Sequence, residues 1–252
     1  MKGKYWVPAI ERANLVLKEV SLHPEQFRLI DLSRKLEINK SSLYSLLHTL
    51  EHLGWIVKSS EATYSLGPTL GSISSMYLSQ FNIVQSFYKE ATESVVKINE
   101  HIQLGTLEDK NVVYLGKVEG ESRVRLVTDP GMRFPAYASA IGRVQLISYT
   151  KQELADLLPS DDWEKKTPYT TSNLDELYDK LNISKKNGYA VENQESALGF
   201  HCVAAPIYNF EDQIIAGVSF SMPTHSWSLK FEEAKKEIIH LASRLSKLAG
   251  NL

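Results

Sequence analysis

The 252-residue chain contains a single cysteine, Cys202. That excludes a disulfide framework within the chain and leaves too few thiolates for a cysteine-built zinc site. No apolar run approaches the roughly 20 residues that a membrane-spanning helix needs. The opening residues, MKGKYWVPAIERA, have no long apolar core and no small-residue cleavage site, and so do not read as a secretory signal. Internal repeats and low-complexity tracts are absent. The expectation is a cytoplasmic protein with no membrane partner. Carboxylates are scarce in one place: the stretch from 38 to 56, INKSSLYSLLHTLEHLGWI, holds only Glu51.

What is present is ordinary for a globular protein: 43% hydrophobic and 23% charged residues, in a length that fits one large domain or two average ones. The net charge of −2 is unevenly spread, since residues 1–70 carry +2 and the remainder −4. This permits a polyanionic partner at the N-terminal end without demanding one.

Apolar spacing predicts a helix over 8–20, with Pro8 in its first turn and Ile10, Ala13, Leu17 and Val20 on one face. A second short helix turns Leu29, Leu32 and Leu36 inward, and a third covers 41–53, stopped by Gly54. Two β-rich pieces, 55–57 and 64–66, make a hairpin. Residues 68–99 are helical again, with a domain boundary between 67 and 83. Strands follow at 103–108, 112–117 and 123–128. The segment DPGMRFPAYAS reads as a loop and 140–149 as a helix. Two more helices lie in KQELADLLP and LDELYDKLNISKKNG. Strands return at 189–192, 201–208 and 214–222, and a helix over 229–248 ends the pattern.

On a helical wheel the third helix gathers Leu43, Leu46, Leu47 and Leu50 on one side. Ser41, Ser45, His48 and His52 point the other way, with Tyr44 and Ser42 beside them. Asn39 is placed to cap the helix, and Lys40 sits at that end. Helix, tight turn, helix and hairpin is the order of a winged helix-turn-helix, whose recognition helix enters the major groove N-terminus first. A carboxylate there would repel phosphate, whereas hydroxyls, imidazoles and a phenol hydrogen-bond base edges or phosphate oxygens. The DNA-contact candidates are Arg12, Asn39, Lys40, Ser41, Ser42, Tyr44, Ser45, His48 and Lys58. The plain alternatives are a solvated amphipathic helix, Tyr44 packed on the scaffold, and Arg12 paired with Glu11 or Glu37.

The order of segments resembles the IclR family of transcription regulators. VPAIERANLVLKEV, INKSSLYSLLHTLEHLGWI and YSLGPTLGSI look like its N-terminal domain. GMRFPAYASAIGRVQLIS and NGYAVENQESALGFHCVAAPIYNFEDQIIAGVSFSMP resemble its C-terminal motifs through Gly142-Arg143, Glu195, Gly199, Cys202 and Ala-Ala-Pro. The resemblance implies an α+β chain with three parts. These are a winged helix-turn-helix over 1–67, a linker helix over 68–82, and a GAF-like α/β effector-binding domain over 83–252 with a mostly antiparallel sheet.

It also implies double-stranded operator DNA and a small-molecule effector as partners (an organic acid, or a sugar-derived or aromatic metabolite). A homodimer or homotetramer, usually a repressor, is expected, with no cofactor, no metal and no catalytic residue. Ser45 stands where the family commonly has Arg, and Ile141 where a small residue is frequent. Motif matching assigns the effector pocket to Leu126, Phe134, Ala140, Ile141, Glu192 and Cys202, and strand alternation adds Ser219 and Ser221. The two serines alternate along their strand and so share a face. The amides of Ala140 and Ile141 fall at a helix N-terminus, which attracts anions. The competing readings are a winged-helix adaptor for another protein and a GAF-like enzyme using Cys202. His201 would point to the opposite face of that strand and so could not activate the thiol.

Overall fold

The computed structural model describes residues 6–80, 82–122, 128–159 and 163–251. The chain divides into two compact units, 1–80 and 81–252.

In the first unit three helices, α1 (Pro8–Leu22), α2 (Leu29–Lys35) and α3 (Lys40–His52), precede a hairpin of β1 (Ile56–Lys58) and β2 (Tyr64–Leu66), and α4 (Pro68–Gln80) follows. The core is one cluster: Ala13, Val16 and Val20 of α1, Leu32 of α2, Leu43, Leu47 and Leu50 of α3, and Ile56 and Tyr64 of the hairpin. Ile10 does not join it. It is 67% exposed, and Val16 takes the inward place instead. Leu29, Leu36 and Leu46 are half-buried against the cluster.

The turn between α2 and α3 is made without glycine. Glu37 adopts φ +55°, and the Ser33 hydroxyl donates to the Ile38 carbonyl at 2.7 Å to hold the reversal. A left-handed conformation at a residue bearing a Cβ costs roughly 1–2 kcal/mol. The hairpin starts one residue later than its β-propensity suggests. Gly54, at φ +68°, spends Trp55 on the turn, where Trp55 N donates to the Leu50 carbonyl.

The second unit opens with α5 (Ile83–Ile98), capped by Asn82, whose side chain accepts from the amides of Val84 and Gln85. Next come β3 (His101–Glu108), β4 (Asn111–Val118), β5 (Arg133–Pro135), a 3-10 turn at Ala136–Ala138, α6 (Ala140–Leu146), α7 (Lys151–Leu157) and α8 (Leu174–Asn187). The unit closes with β6 (Ala190–Asn193), β7 (Phe200–Tyr208), β8 (Ile214–Pro223) and α9 (Thr224–Leu248). The strands form one sheet in the order β5-β4-β3-β8-β7-β6, every neighbour antiparallel.

Strand alternation gives the sheet two different faces. Val218, Phe220 and Met222 meet Phe87, Ala91 and Val95 of α5 and Ile238, Leu241 and Leu245 of α9 in one apolar core. Cys202 and Ala204 belong to a second core with α6 and α8, through Ala140, Ile141, Val144, Leu177 and Leu181.

Two local expectations are corrected. The segment read as a loop contains β5 and the 3-10 turn, because Val112 and Val113 of β4 offer a partner edge to Phe134 and Arg133. The last helix begins at Thr224 rather than 229: its first turn is anchored by Trp227, which stacks on His201 at 5.2 Å and 18°. The strand expected at 123–128 lies, but for Thr128, outside the described residues.

Candidate nucleic-acid interface and effector cavity

Along α3 the leucine side is spent on the core, so the opposite side is free. Lys40, Ser41, Ser42, Tyr44, Ser45, His48, Thr49 and His52 are all exposed, Tyr44 to 63%. Asn39 caps the helix, its Oδ1 accepting from the Ser41 amide at 2.9 Å and the Ser41 hydroxyl at 2.7 Å. The Ser45 hydroxyl donates to the Ser41 carbonyl at 3.2 Å, and that of Thr49 to the Ser45 carbonyl at 2.9 Å. In this arrangement those hydroxyls offer lone pairs outward, while Lys40, Ser42, Tyr44 and His48 supply donors. Tyr44 and His48, one helical turn apart, lie side by side at 6.4 Å between ring centroids.

Lys58 is exposed on β1, opposite Tyr64 in the hairpin register. Arg12 is exposed on α1 and has no ion pair among the described residues. Lys35 is not free for a ligand: it pairs with Glu19 and lies 4.6 Å over the Phe27 ring.

In the second unit, a small cavity opens between the sheet and the start of α6. Its walls bring together seven of the eight effector candidates: Phe134, Ala140, Ile141, Glu192, Cys202, Ser219 and Ser221. Leu126 lies outside the described residues. Tyr114, Thr128, Ser139 and Ser196 complete the lining, beyond the candidates that the sequence offers. Tyr114 had a usable signal, since it shares the inward period of β4 with Val112. The cavity is tight, about 50 Å³, and Ile141, where a smaller side chain is frequent in the family, stands in its wall.

Three features set its chemistry. The first amides of α6 have no partner within the helix, and Ser139 caps it by accepting from Gly142 N at 3.0 Å. Gly142 is required here, because a Cβ would stand 2.1 Å from the Ala136 carbonyl oxygen. On the sheet, the Ser219 and Ser221 hydroxyls lie 3.1 and 2.9 Å from Gln103 Oε1, and Ser221 lies 3.4 Å from Cys202 Sγ. Gln103 is buried beneath them with its Nε2 unpartnered among the described residues, and the buried Thr128 hydroxyl is likewise unpartnered.

Glu192 is fully buried and turned toward its own chain. It accepts from the Glu195 amide, from the Ser196 amide at 2.9 Å and from the Ser196 hydroxyl at 3.1 Å. It pairs with neither Lys185 nor Lys186 among the described residues. Burial pushes its carboxyl above the usual range.

Next to it, the guanidinium of the buried Arg143 donates to Glu195, to the Val191 carbonyl at 2.9 Å and to the Thr171 hydroxyl at 3.0 Å. Lys180 reaches the same Glu195 oxygen at 3.1 Å. Burial works to raise the Glu195 carboxyl, but Arg143, then Thr171 and Lys180, outweigh it and hold it below the ordinary range. Arg143 and Glu195, in sequence only motif markers, are thus the frame behind the cavity wall.

Cys202 is buried, and burial raises its thiol well above the ordinary value, which keeps it from serving as a thiolate nucleophile. His201 projects from the other face of β7, against Trp227, with Asn193 and Thr224 on its ring nitrogens at 3.1 Å each. Among the described residues no group of three His, Cys, Asp or Glu converges as a metal site, and no helix is long and apolar enough to cross a membrane.

A winged helix with an unspent polar recognition face, in a chain whose second unit encloses a small polar cavity, defines a ligand-responsive DNA-binding regulator. The particular family follows from comparison. Residues 9–60 match the IclR helix-turn-helix domain, and residues 75–247 match the bacterial transcriptional regulator IclR C-terminal domain. The chain therefore belongs to the IclR family, whose members are DNA-binding transcriptional regulators rather than enzymes.

It is 30% identical to the HTH-type transcriptional regulator XynR of Escherichia coli (strain K12), over 86% of this chain and 87% of that protein. It is 28% identical to the HTH-type transcriptional regulator KdgR of Dickeya chrysanthemi, over 86% of this chain and 71% of that protein. The crystal structure of the Agobacterium tumefaciens repressor BlcR superposes with a TM-score of 0.83 at 26% identity, covering 98% of both chains.

Proposed function

We propose that this regulator is a cytoplasmic repressor that binds a palindromic operator as a homo-oligomer and is released by a small carboxylic acid bearing a hydroxyl or oxo group. The observation that carries this reading is the lining of the cavity. The first α6 amides, which have no partner within the helix, and the Thr128 hydroxyl, unpartnered among the described residues, suit a carboxylate, and Ser219, Ser221 and Tyr114 suit an oxygen substituent. Phe134 and Ile141 close the apolar side. Glu192 shapes the wall, its oxygens engaged by the amides of its own turn.

On the DNA side α3 enters the major groove. Tyr44, Ser45, Ser42 and His48 face base edges, while Asn39, Lys40, Ser41, Arg12 and Lys58 hold phosphates. Relatives support the repressor sense: AllR of Salmonella typhi and BlcR both carry that name.

The effector acts by population shift, favouring one arrangement of the regulator over another. α4 continues the chain from the winged helix and serves as the linker. A preference of about 1–3 kcal/mol changes operator affinity roughly 5–150-fold. The test selects an operator from a random duplex pool and titrates two- to four-carbon hydroxy and oxo acids against the complex. Release by one of them, abolished in Ser221→Ala, is the expected result. A regulator that holds its operator equally well with every acid tried would overturn the assignment of the ligand class.

A further inference from the structure

The sheet of the second unit is split at one end. β3 and β8 pair from His101↔Ser221 as far as Gly105↔Gly217 and then part. Beyond that point β3 stays with β4 and β8 stays with β7. Each of those pairs shifts register near the parting, at Leu104/Gly105 and at Ile207/Tyr208. Bulges of this kind terminate pairing and re-aim side chains, and they gather beside binding sites.

The fork leaves an open cleft of about 560 Å³. It is separate from the effector cavity, and no residue lines both. The edges that parting strands expose need partners. The Thr106 hydroxyl takes one by donating to the Ile215 carbonyl at 3.2 Å. The buried Gln145 of α6 supplies another: its Oε1 accepts from Leu107 N at 2.6 Å, while its Nε2 donates to the Ile141 carbonyl at 3.0 Å. Helix α6 is seated on the glycine pair at the fork, where a Cβ on Gly217 would come within 2.9 Å of Val144 and one on Gly105 within 3.2 Å of Ile141. One short helix thus has Ala140 and Ile141 in the wall of the effector cavity and Gln145 in the wall of the cleft.

The cleft differs from the cavity in chemistry. Leu107, Ile147, Ile214 and Ile215 give it an aliphatic floor, and Tyr149 and Tyr208 add ring faces. One cation, Lys185 of α8, looks in from the rim and has no ion pair among the described residues. The acid on the lining, Asp212, already accepts from Asn251 Nδ2 at 2.7 Å. A flat apolar body with a single negative charge packs on the aliphatic and ring groups and pairs with Lys185, while Asp212 is left to its own hydrogen bond with Asn251. We propose that the cleft is a second small-molecule site, for a compact aromatic monocarboxylate, and that α6 lies between it and the effector cavity.

Benzoate is the probe, with benzylamine as its opposite-charge control, added to the full chain with isotope-labelled isoleucine methyl groups. The expected result is a saturable shift of the Ile147, Ile214 and Ile215 methyls with benzoate and none with benzylamine. Lys185→Ala, an exposed change that leaves the melting temperature in place, weakens benzoate about tenfold or more, the loss expected when a charge-assisted hydrogen bond goes. Ile215→Trp, half-buried at the mouth, blocks the cleft and abolishes the shifts.

Shifts confined to Ile141 would put benzoate in the effector cavity and overturn the proposal without touching the operator reading above. So would non-saturating shifts, equal response to benzylamine, or unchanged affinity in Lys185→Ala.

Discussion

The two halves of this regulator keep their functional groups in opposite states. On α3 the candidate DNA contacts stand in water, touching little but their own helix, and the fold beneath them is held by leucines on the other side. In the second unit the polar groups around the cavity are buried, and apart from Gln103 Nε2 and the Thr128 hydroxyl they are tied together. Glu192 holds the 193–196 turn, and Arg143 binds Glu195, Thr171 and the Val191 carbonyl. An exposed recognition face can therefore change sequence with little effect on stability. A buried polar network cannot, because each polar group removed leaves another unpaired in a medium of low dielectric.

Substitutions sharpen this contrast. The largest loss is expected from Arg143→Leu, which strands the buried Glu195 carboxylate with only partial cover from Lys180. About 3–5 kcal/mol of unfolding free energy should disappear, and adding Glu195→Gln should restore much of it. Denaturant titration of both variants checks this. Gly142→Ala should cost about 1–3 kcal/mol, since its Cβ would overlap the Ala136 backbone and push α6 off the 3-10 turn.

Acid gives the next effect. Glu195 is held below its unfolded value of about 4.3, so its contribution to stability is complete above that pH and fades as pH falls through the lower folded value. Glu192 is shifted upward, and its protonation on acidification favours the folded state. Glu195→Gln should flatten the fall in melting temperature below about pH 5, and Glu192→Gln should not.

In the first unit Asn39→Ala should cost about 1 kcal/mol through the lost cap. Asn39→Asp should keep the cap and the melting temperature while weakening operator binding, because it sets a carboxylate before phosphates. If Asn39→Asp bound operator as tightly as the native chain, the placing of this helix end at the DNA backbone would be wrong.

How much could be read from the chain differs between the halves for the same physical reason. The helices and hairpin of the first unit follow from local periodicity, and errors there are small shifts of phase, such as Val16 replacing Ile10 in the core. The cavity depends on partners distant in sequence. The alternation of Ser219 and Ser221 was visible because it is a property of one strand. The unpartnered amide of Gln103 beneath those serines is a property of two strands in register, and the Arg143–Glu195 pair spans 52 residues. Thr128 and Ser196 lie on connecting segments, where no period marks a direction. The first turn of α9 looks polar and unhelical in isolation, and it is Trp227 stacking on His201 that fixes it.

The central claim is that α3 grips duplex DNA through side chains that do nothing for the fold. Fluorescence anisotropy of a selected operator, with the native chain and Tyr44→Ala compared across a salt series, tests it most directly. The expected result is sequence-specific binding that weakens steeply with salt, and a Tyr44→Ala protein that loses that specificity while its stability stays within about 0.5 kcal/mol. Equal affinity of the native chain for selected and scrambled duplexes, or an undiminished preference in Tyr44→Ala, would contradict it.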